Sequence, residues 1–424
     1  MKISHKMELA DKIKSKEPCQ LRNEVLNWLE SLSVKDAQYG TYKMSTSTEA
    51  TLFSSCFAAF LRKLYGDLRN VTPEQKREWI SLISSCQDAE TGFFVDPRLK
   101  QEQTFSPNLT IRHDWGYVTW QSTTFCISAL KALGGDMEYP LKFLEEWKNA
   151  DRVRLWLQNL DWRRRTWTDG NLAMFLGICL ITDYEMNNDP RARDALEAFF
   201  AWHDSFCDPK TGFWGTNHGT PIHWGLFGAM HQFLLYYYVG RPLRHMETIV
   251  DNALLIQQPD GLFSPVGGGG ACEDLDAVDV LVNMFHRVDY RRDDVKRALC
   301  KTLVAIINVQ NDDGGFPWAK RYHFGIKDWI RLGSSITRTR NFHYWLYSFG
   351  EAILGQTVHW KKPDSAPGWT ETLVPVSESS IFATWFRSLS LALISQVIPE
   401  SPYAQIEWSF LSSPGLGYFV KTKS

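Results

Sequence analysis

The sequence predicts an all-α fold, an (α/α)6 toroid built from helix-hairpin repeats, and three observations carry that expectation. A turn motif recurs along most of the chain, two kinds of helix alternate between its copies, and glycines stop several of the more apolar helices.

The turn motif comes first because a missed repeat misassigns a whole fold. "CQDAETGFF" (86–94), "CDPKTGFW" (207–214), "QQPDGLF" (257–263) and "QNDDGGFPW" (310–318) share a polar turn, a glycine and an aromatic or leucine that follows it. "AQYGTY" (37–42) is a worn copy, and "QNLDWRRRTW" (158–167) a degenerate one without the glycine. Where copies are adjacent the glycines lie about fifty residues apart, the length of one helix pair in a repeat architecture, and about six units fit the chain.

A helix-like segment with a polar end, such as "EWISLISSCQ" or "KTLVAIINVQN", precedes each motif. A more apolar segment follows it. These second segments read "TEATLFSSCFAAFLRKLYG", "WQSTTFCISALKALGG", "GNLAMFLGICLI", "HWGLFGAMHQFLLYYYVG", "DAVDVLVNMF" and "NFHYWLYSFGEAILG". Leu275, Val278, Leu281 or Val282, and Phe285 recur at spacings of three and four, the period of a helix. Gly66, Gly134, Gly240 and Gly355 are the expected C-terminal stops. Helices apolar nearly all round suit an inner ring and amphipathic ones an outer ring. An open solenoid of hairpins buries the same faces but leaves two ends to cap. The expected organisation is one toroid domain over 1–424, with a polar segment at 1–20, helix-pair repeats at 21–398 and a C-terminal extension at 399–424.

Composition narrows the function. The 424 residues are 44% hydrophobic and 22% charged, and a net charge of -2 offers no polyanion-binding surface, so nucleic acid is not an expected partner. Eighteen tryptophans call for large inter-helix spaces or a cavity lined by ring faces. Eight cysteines without a CxxC pair read as reduced thiols, hence a cytoplasmic protein. The first twenty residues hold no signal-peptide core, and no apolar run reaches the length of a membrane span.

In a closed ring the starts of the inner helices form the mouth, and those positions are rich in polar groups. They are Thr46, Thr48 and Glu49; His113, Asp114, Trp115 and Gln121; Asp169 and Asn171; Asn217, His218, His223 and Trp224; Glu273, Asp274, Asp276 and Asp279; and Arg338, Arg340, Asn341, His343 and Tyr344. N-capping accounts for Asp169, Asp274 and Thr46 without any ligand. It does not predict the histidines and arginines, because cations at a helix N-terminus oppose its dipole. The substrate-binding candidates are therefore His113, Asp114, Trp115, Trp167, Asp169, Asn171, Asn217, His218, His223, Trp224, Arg338, Arg340, Asn341, His343 and Tyr344.

The densest stretch is "GGGGACEDLDAVDVL" (267–281), where four glycines allow a sharp turn and Glu273, Asp274, Asp276 and Asp279 crowd one turn and its lead-in. Crowded carboxylates with apolar walls cannot all ionise, so one holds a proton and becomes a candidate general acid. A divalent metal such as Mg2+ at Asp274 and Asp276 is the other way to neutralise them. No other cofactor is implied.

The "Q-x-x-D-G-x-F/W" turn followed by an inner helix resembles the repeats of the terpenoid cyclase and protein prenyltransferase toroid superfamily. "QQPDGLF…DLDAVDVLVNMF" is similar to the class II cyclase arrangement, which implies that Asp276 is the proton donor and Asp274 its D-x-D companion in a protonation-initiated isoprenoid cyclase. Ala277 stands where that family has a third acid or a threonine, and the chain has length for one helical domain where class II cyclases use two. "LLIQQPDGLF" is equally similar to the turns of unsaturated-uronyl hydrolases on the same barrel. That likeness implies a carbohydrate-active hydrolase, lyase or epimerase acting on an oligosaccharide, and a lipid- or peptide-binding toroid without catalysis is the third reading.

Overall fold

The computed structural model describes residues 17–99, 115–334, 336, 342–357 and 373–421. Five candidates, His113, Asp114, Arg338, Arg340 and Asn341, lie outside the described residues, as does the side chain of Trp115.

The described residues are helical, with isolated β-bridges and no strand. Six outer helices, α1 (Pro18–Ser31), α3 (Pro73–Ser84), α5 (Ala150–Asn159), α7 (Pro190–Phe206), α9 (Met246–Leu255) and α11 (Arg292–Val309), each precede an inner one. The inner helices are α2 (Leu52–Leu64), α4 (Trp115–Leu133), α6 (Thr166–Asn187), α8 (Ile222–Val239), α10 (Ala271–Arg287) and α14 (Ile381–Ser395). Two further helices, α12 (Ile326–Ser334) and α13 (Phe342–Thr357), lie between α11 and α14. The inner helices pack in sequence order, and α14 then packs on α2. The ring is closed, as an (α/α)6 toroid requires.

The recurring turn explains how the ring curves. Gly40, Gly92, Gly212, Gly261 and Gly314 all have φ between 77° and 98°, where a side chain is strained. Each also lies against the next unit around the ring. A Cβ on Gly40 would strike Trp79, one on Gly212 Ile249, one on Gly261 the Lys301 carbonyl, and one on Gly314 would come within 2.6 Å of the Glu24 carbonyl oxygen. That last contact joins the final outer helix to the first. In three of the turns a glutamine amide donates to the glycine carbonyl, 3.3 Å from Gln87 to Gly92, 3.1 Å from Gln257 to Gly261 and 2.8 Å from Gln310 to Gly314.

Local signals set the helix ends. Thr51 and Ser54 form a reciprocal capping box at α2, and Thr72 and Gln75 do so at α3. Gly66, Gly134 and Gly240 end their helices with φ of 65°, 85° and 69°. Gly355 does not. It sits inside α13, where a side chain would meet Val266 at 2.6 Å, so its role is close approach.

The sixth inner helix also differs from expectation. Within "NFHYWLYSFGEAILG" the residues from Phe342 onward form α13, which leaves Phe342, Leu346, Ile353 and Leu354 exposed and cannot serve as a wall buried on every side. Every residue of α14 is buried instead. Rings pack between the neighbouring helices α2, α4 and α14: Phe57 lies 4.9 Å from both Phe125 and Phe382, and Phe382 lies 4.5 Å from Phe386. The far end is covered by the C-terminal extension, whose Trp408, Tyr418 and Phe419 rest on Tyr65, Tyr238 and His286 at the ends of α2, α8 and α10. No helix among the described residues is long and apolar enough to cross a membrane. All eight cysteines are free.

Candidate acidic site at the mouth of the ring

The glycine run and the first turn of α10 form one device. Gly267, Gly268 and Gly269 have φ of 79°, 73° and 68°, and a Cβ on Gly269 would lie 2.4 Å from an Asp274 carboxylate oxygen. Only glycine lets the loop wrap that closely. Asp274 accepts from the Phe263 N–H at 2.7 Å and the Gly270 N–H at 3.0 Å, and it pairs with Arg387 of α14. Arg387 also donates to the Trp318 carbonyl at 2.9 Å, and both charged side chains are fully buried. Asp274 thus clips the turn to the last inner helix.

Two residues on, Asp276 is fully buried, and neither carboxylate oxygen has a hydrogen-bond partner among the described residues. Burial, reinforced by the charges of Asp279, Glu273 and Asp274, holds its pKa well above the usual carboxylate range. The Trp167 side chain pulls the other way without meeting hydrogen-bond geometry. Burial therefore favours the acid form of Asp276 over its carboxylate. Asp279, one turn further in, is pushed up to about 7 by burial, against the opposing effects of Arg287 and of Asn283, whose amide donates to it at 3.1 Å. Glu273 accepts from the Ser264 hydroxyl at 3.2 Å.

Aromatic rings surround this turn. Trp167 at the start of α6 lies 5.5 Å from Trp224 and 5.1 Å from Phe227 of α8. The Trp224 indole N–H donates to the Tyr347 hydroxyl at 2.7 Å, which ties α8 to the inner side of α13. His223 is fully buried, 5.5 Å from the Tyr344 ring, and burial lowers its pKa to about 3, so the imidazole is neutral. Its Nδ1 has no partner among the described residues, and its Nε2 lies 3.4 Å from the Gln258 amide nitrogen. Gln258 Oε1 is also buried without a partner. Burial raises the Tyr344 and Tyr347 hydroxyls above their ordinary range, so neither is a ready base.

Of the predicted residues, Glu273, Asp274, Asp276, Trp167, His223, Trp224 and Tyr344 come together here, with Asp279 behind them. Others do not. Asp169 is buried but accepts from the Asp161 N–H at 2.7 Å and pairs with Arg165, fixing the turn before α6. Asn171 donates to the Trp167 carbonyl at 3.2 Å. Asn217 and His218 sit exposed on a short 3-10 turn that buries none of its residues, and His343 lies on the outer side of α13, where its neighbour Tyr344 is the buried residue. A Mg2+ ion does not fit: Asp274 is already consumed by Arg387 and two N–H groups, and no group of three His, Cys, Asp or Glu among the described residues is placed to hold a metal.

Gln258, Ser264, Tyr347 and Arg387 escaped the sequence reading. The doubled glutamine of "QQPDG" held a signal, since Gln257 alone performs the structural task and leaves Gln258 for the site. An arginine inside the apolar run "IFATWFRSLSLALIS" was the other.

No family model matches this chain, and no curated protein matches it. Among solved structures, a polysaccharide lyase aligns over 82% of this chain and 97% of its own length, with 10% identity and a TM-score of 0.41.

Proposed function

We propose that the chain is a carbohydrate-active enzyme in which Asp276, held as an acid, donates a proton to a sugar bound against Trp167, Trp224, Tyr344 and Tyr347. One observation carries this reading: Asp276, His223 Nδ1 and Gln258 Oε1 are buried polar groups without partners, gathered at one mouth. Buried polar atoms left unpaired cost free energy, and hydroxyl groups of a ligand satisfy all of them. Aromatic faces beside them suit the C–H faces of a sugar ring.

Hydration of an unsaturated uronyl residue fits a lone carboxyl held in its acid form best. The Asp276 proton adds to C4 of the C4=C5 double bond, and the ring oxygen stabilises the cation at C5. Water then adds at C5, and its proton returns to the Asp276 carboxylate, so the acid is regenerated. The hemiketal opens to a C5 ketone, which leaves a hemiacetal at C1; its collapse to the C1 aldehyde breaks the glycosidic bond, and the neighbouring sugar leaves with the hydroxyl proton. A cyclase would use the same acid, but the unpaired polar atoms of His223 and Gln258 favour a substrate with hydroxyl groups over an isoprenoid.

The test is loss of the ultraviolet absorbance of unsaturated uronyl disaccharides on incubation with the full chain. Asp276→Asn should slow it about 10²–10⁴-fold, the usual worth of a general acid. Undiminished turnover by that variant contradicts the reading, and so does cyclisation of prenyl substrates by a chain inert toward uronides.

A further inference from the structure

Surface helices normally turn their polar side to water. Helix α13 does the reverse. Its inner side carries Tyr344, Tyr347, Ser348 and Glu351, while Phe342 is 58% and Leu346 53% exposed on the outside. Its neighbour α12 adds Ile326 at 78% and Ile330 at 64% exposure, one helical turn apart on one face. Isolated exposed apolar side chains need no explanation, but a run of them across two adjoining helices marks a contact surface.

Charge identifies what covers it. Lys320 and Lys327 are exposed beside the apolar strip. Asp328, the acid of α12, is turned away to accept from the Tyr322 hydroxyl at 3.0 Å and the Gly325 N–H at 2.9 Å. Glu351, the acid of α13, is half-buried and acts on the Tyr347 hydroxyl beneath. The outer face is thus apolar and basic without an acid among the described residues of the two helices. The same face of a second copy would offer these lysines no acid to pair with. An anionic bilayer meets both features, since isoleucine and phenylalanine enter the acyl boundary and lysines remain at the headgroups.

We infer that α12 and α13 form an interfacial anchor that lies on an anionic lipid surface without crossing it. Binding there sets the roof of the acidic site against the membrane. The inference stands on the outer face alone and does not depend on the reaction proposed for Asp276.

Co-sedimentation of the full chain with vesicles tests it, comparing phosphatidylcholine alone with phosphatidylcholine containing phosphatidylglycerol. Binding to the anionic vesicles alone is expected, weakening as salt is raised. Lys327→Ala should weaken it about fivefold, and Ile326→Asp with Ile330→Asp at least about tenfold. Circular dichroism checks that the double variant is folded, and Phe342→Ser on the other helix provides the same reading independently. The inference is overturned if the wild-type chain ignores anionic vesicles, if the variants bind as well as it does, or if light scattering finds a dimer that Ile330→Asp splits.

Discussion

Asp274 and Asp276 are two residues apart on one helix and have opposite fates. Both Asp274 oxygens accept hydrogen bonds and a guanidinium lies beside them; Asp276 has a buried carboxyl with no hydrogen-bond partner among the described residues. Removing the Arg387 guanidinium would strand a buried carboxylate, a change that typically costs 3–5 kcal/mol. Arg387→Met should therefore lower stability to urea by about that amount, and Arg387→Met with Asp274→Asn should recover part of it. Equal losses for single and double variants would mean the pair does not clip the turn. The D-x-D spacing was legible in the sequence, but the division of labour within it was not. It depends on Arg387, which lies far along the chain and reaches Asp274 only when the ring closes.

At the scale of the element, the turn glycines differ in what surrounds them, and that difference sets the cost of filling them. Gly314 combines φ of 96° with a neighbouring backbone oxygen 2.6 Å from where a Cβ would stand. Gly240 has φ of 69° and open space around it. Gly240→Ala should cost about 1 kcal/mol for the left-handed conformation alone, and Gly314→Ala at least about 2 kcal/mol, because the Glu24 backbone must also move. Chemical denaturation of the two variants measures the difference, and equal costs would contradict the ring-closing role of Gly314. Repeats, turns and five of the six inner helices could be read from periodicity and glycine placement. Helix α13 misled because its composition is as apolar as an inner helix. Which side faces water is decided by where it packs, and periodicity does not carry that information.

Over the whole molecule, buried titratable groups set how stability follows pH. His203, His223 and His231 are buried with pKa values lowered by burial to about 3, 3 and 4. Their contribution is complete above the unfolded value of about 6.5 and is lost as pH falls toward 4. The half-buried His286, lowered to about 4, acts in the same sense. Asp279 and Asp276 act oppositely: their pKa values are raised, so their contribution is present below the unfolded value of 3.8 and is lost as pH rises, for Asp279 through about 7. Between about 4.5 and 6, four histidines outweigh two aspartates by about two protons, and stability should fall on acidification by about 2.7 kcal/mol per pH unit. Between about 7 and 8 the raised pKa of Asp276 should make stability decline again with rising pH, and at higher pH the Cys86, Cys207 and Cys300 thiols, also raised by burial, add to the decline. Thermal melts across pH should show a maximum near neutrality, and Asp276→Asn should flatten the limb between about 7 and 8. A wild-type limb already flat would deny Asp276 its proton.

The closed ring, its glycine turns and the Arg387 clip all converge on one condition, a carboxyl kept in its acid form beneath aromatic rings. Infrared difference spectroscopy at pH 8, subtracting the spectrum of Asp276→Asn from that of the wild-type chain, reads that condition directly. The account predicts a carbonyl band of a protonated carboxylic acid that disappears with the substitution. A carboxylate band in its place would contradict it.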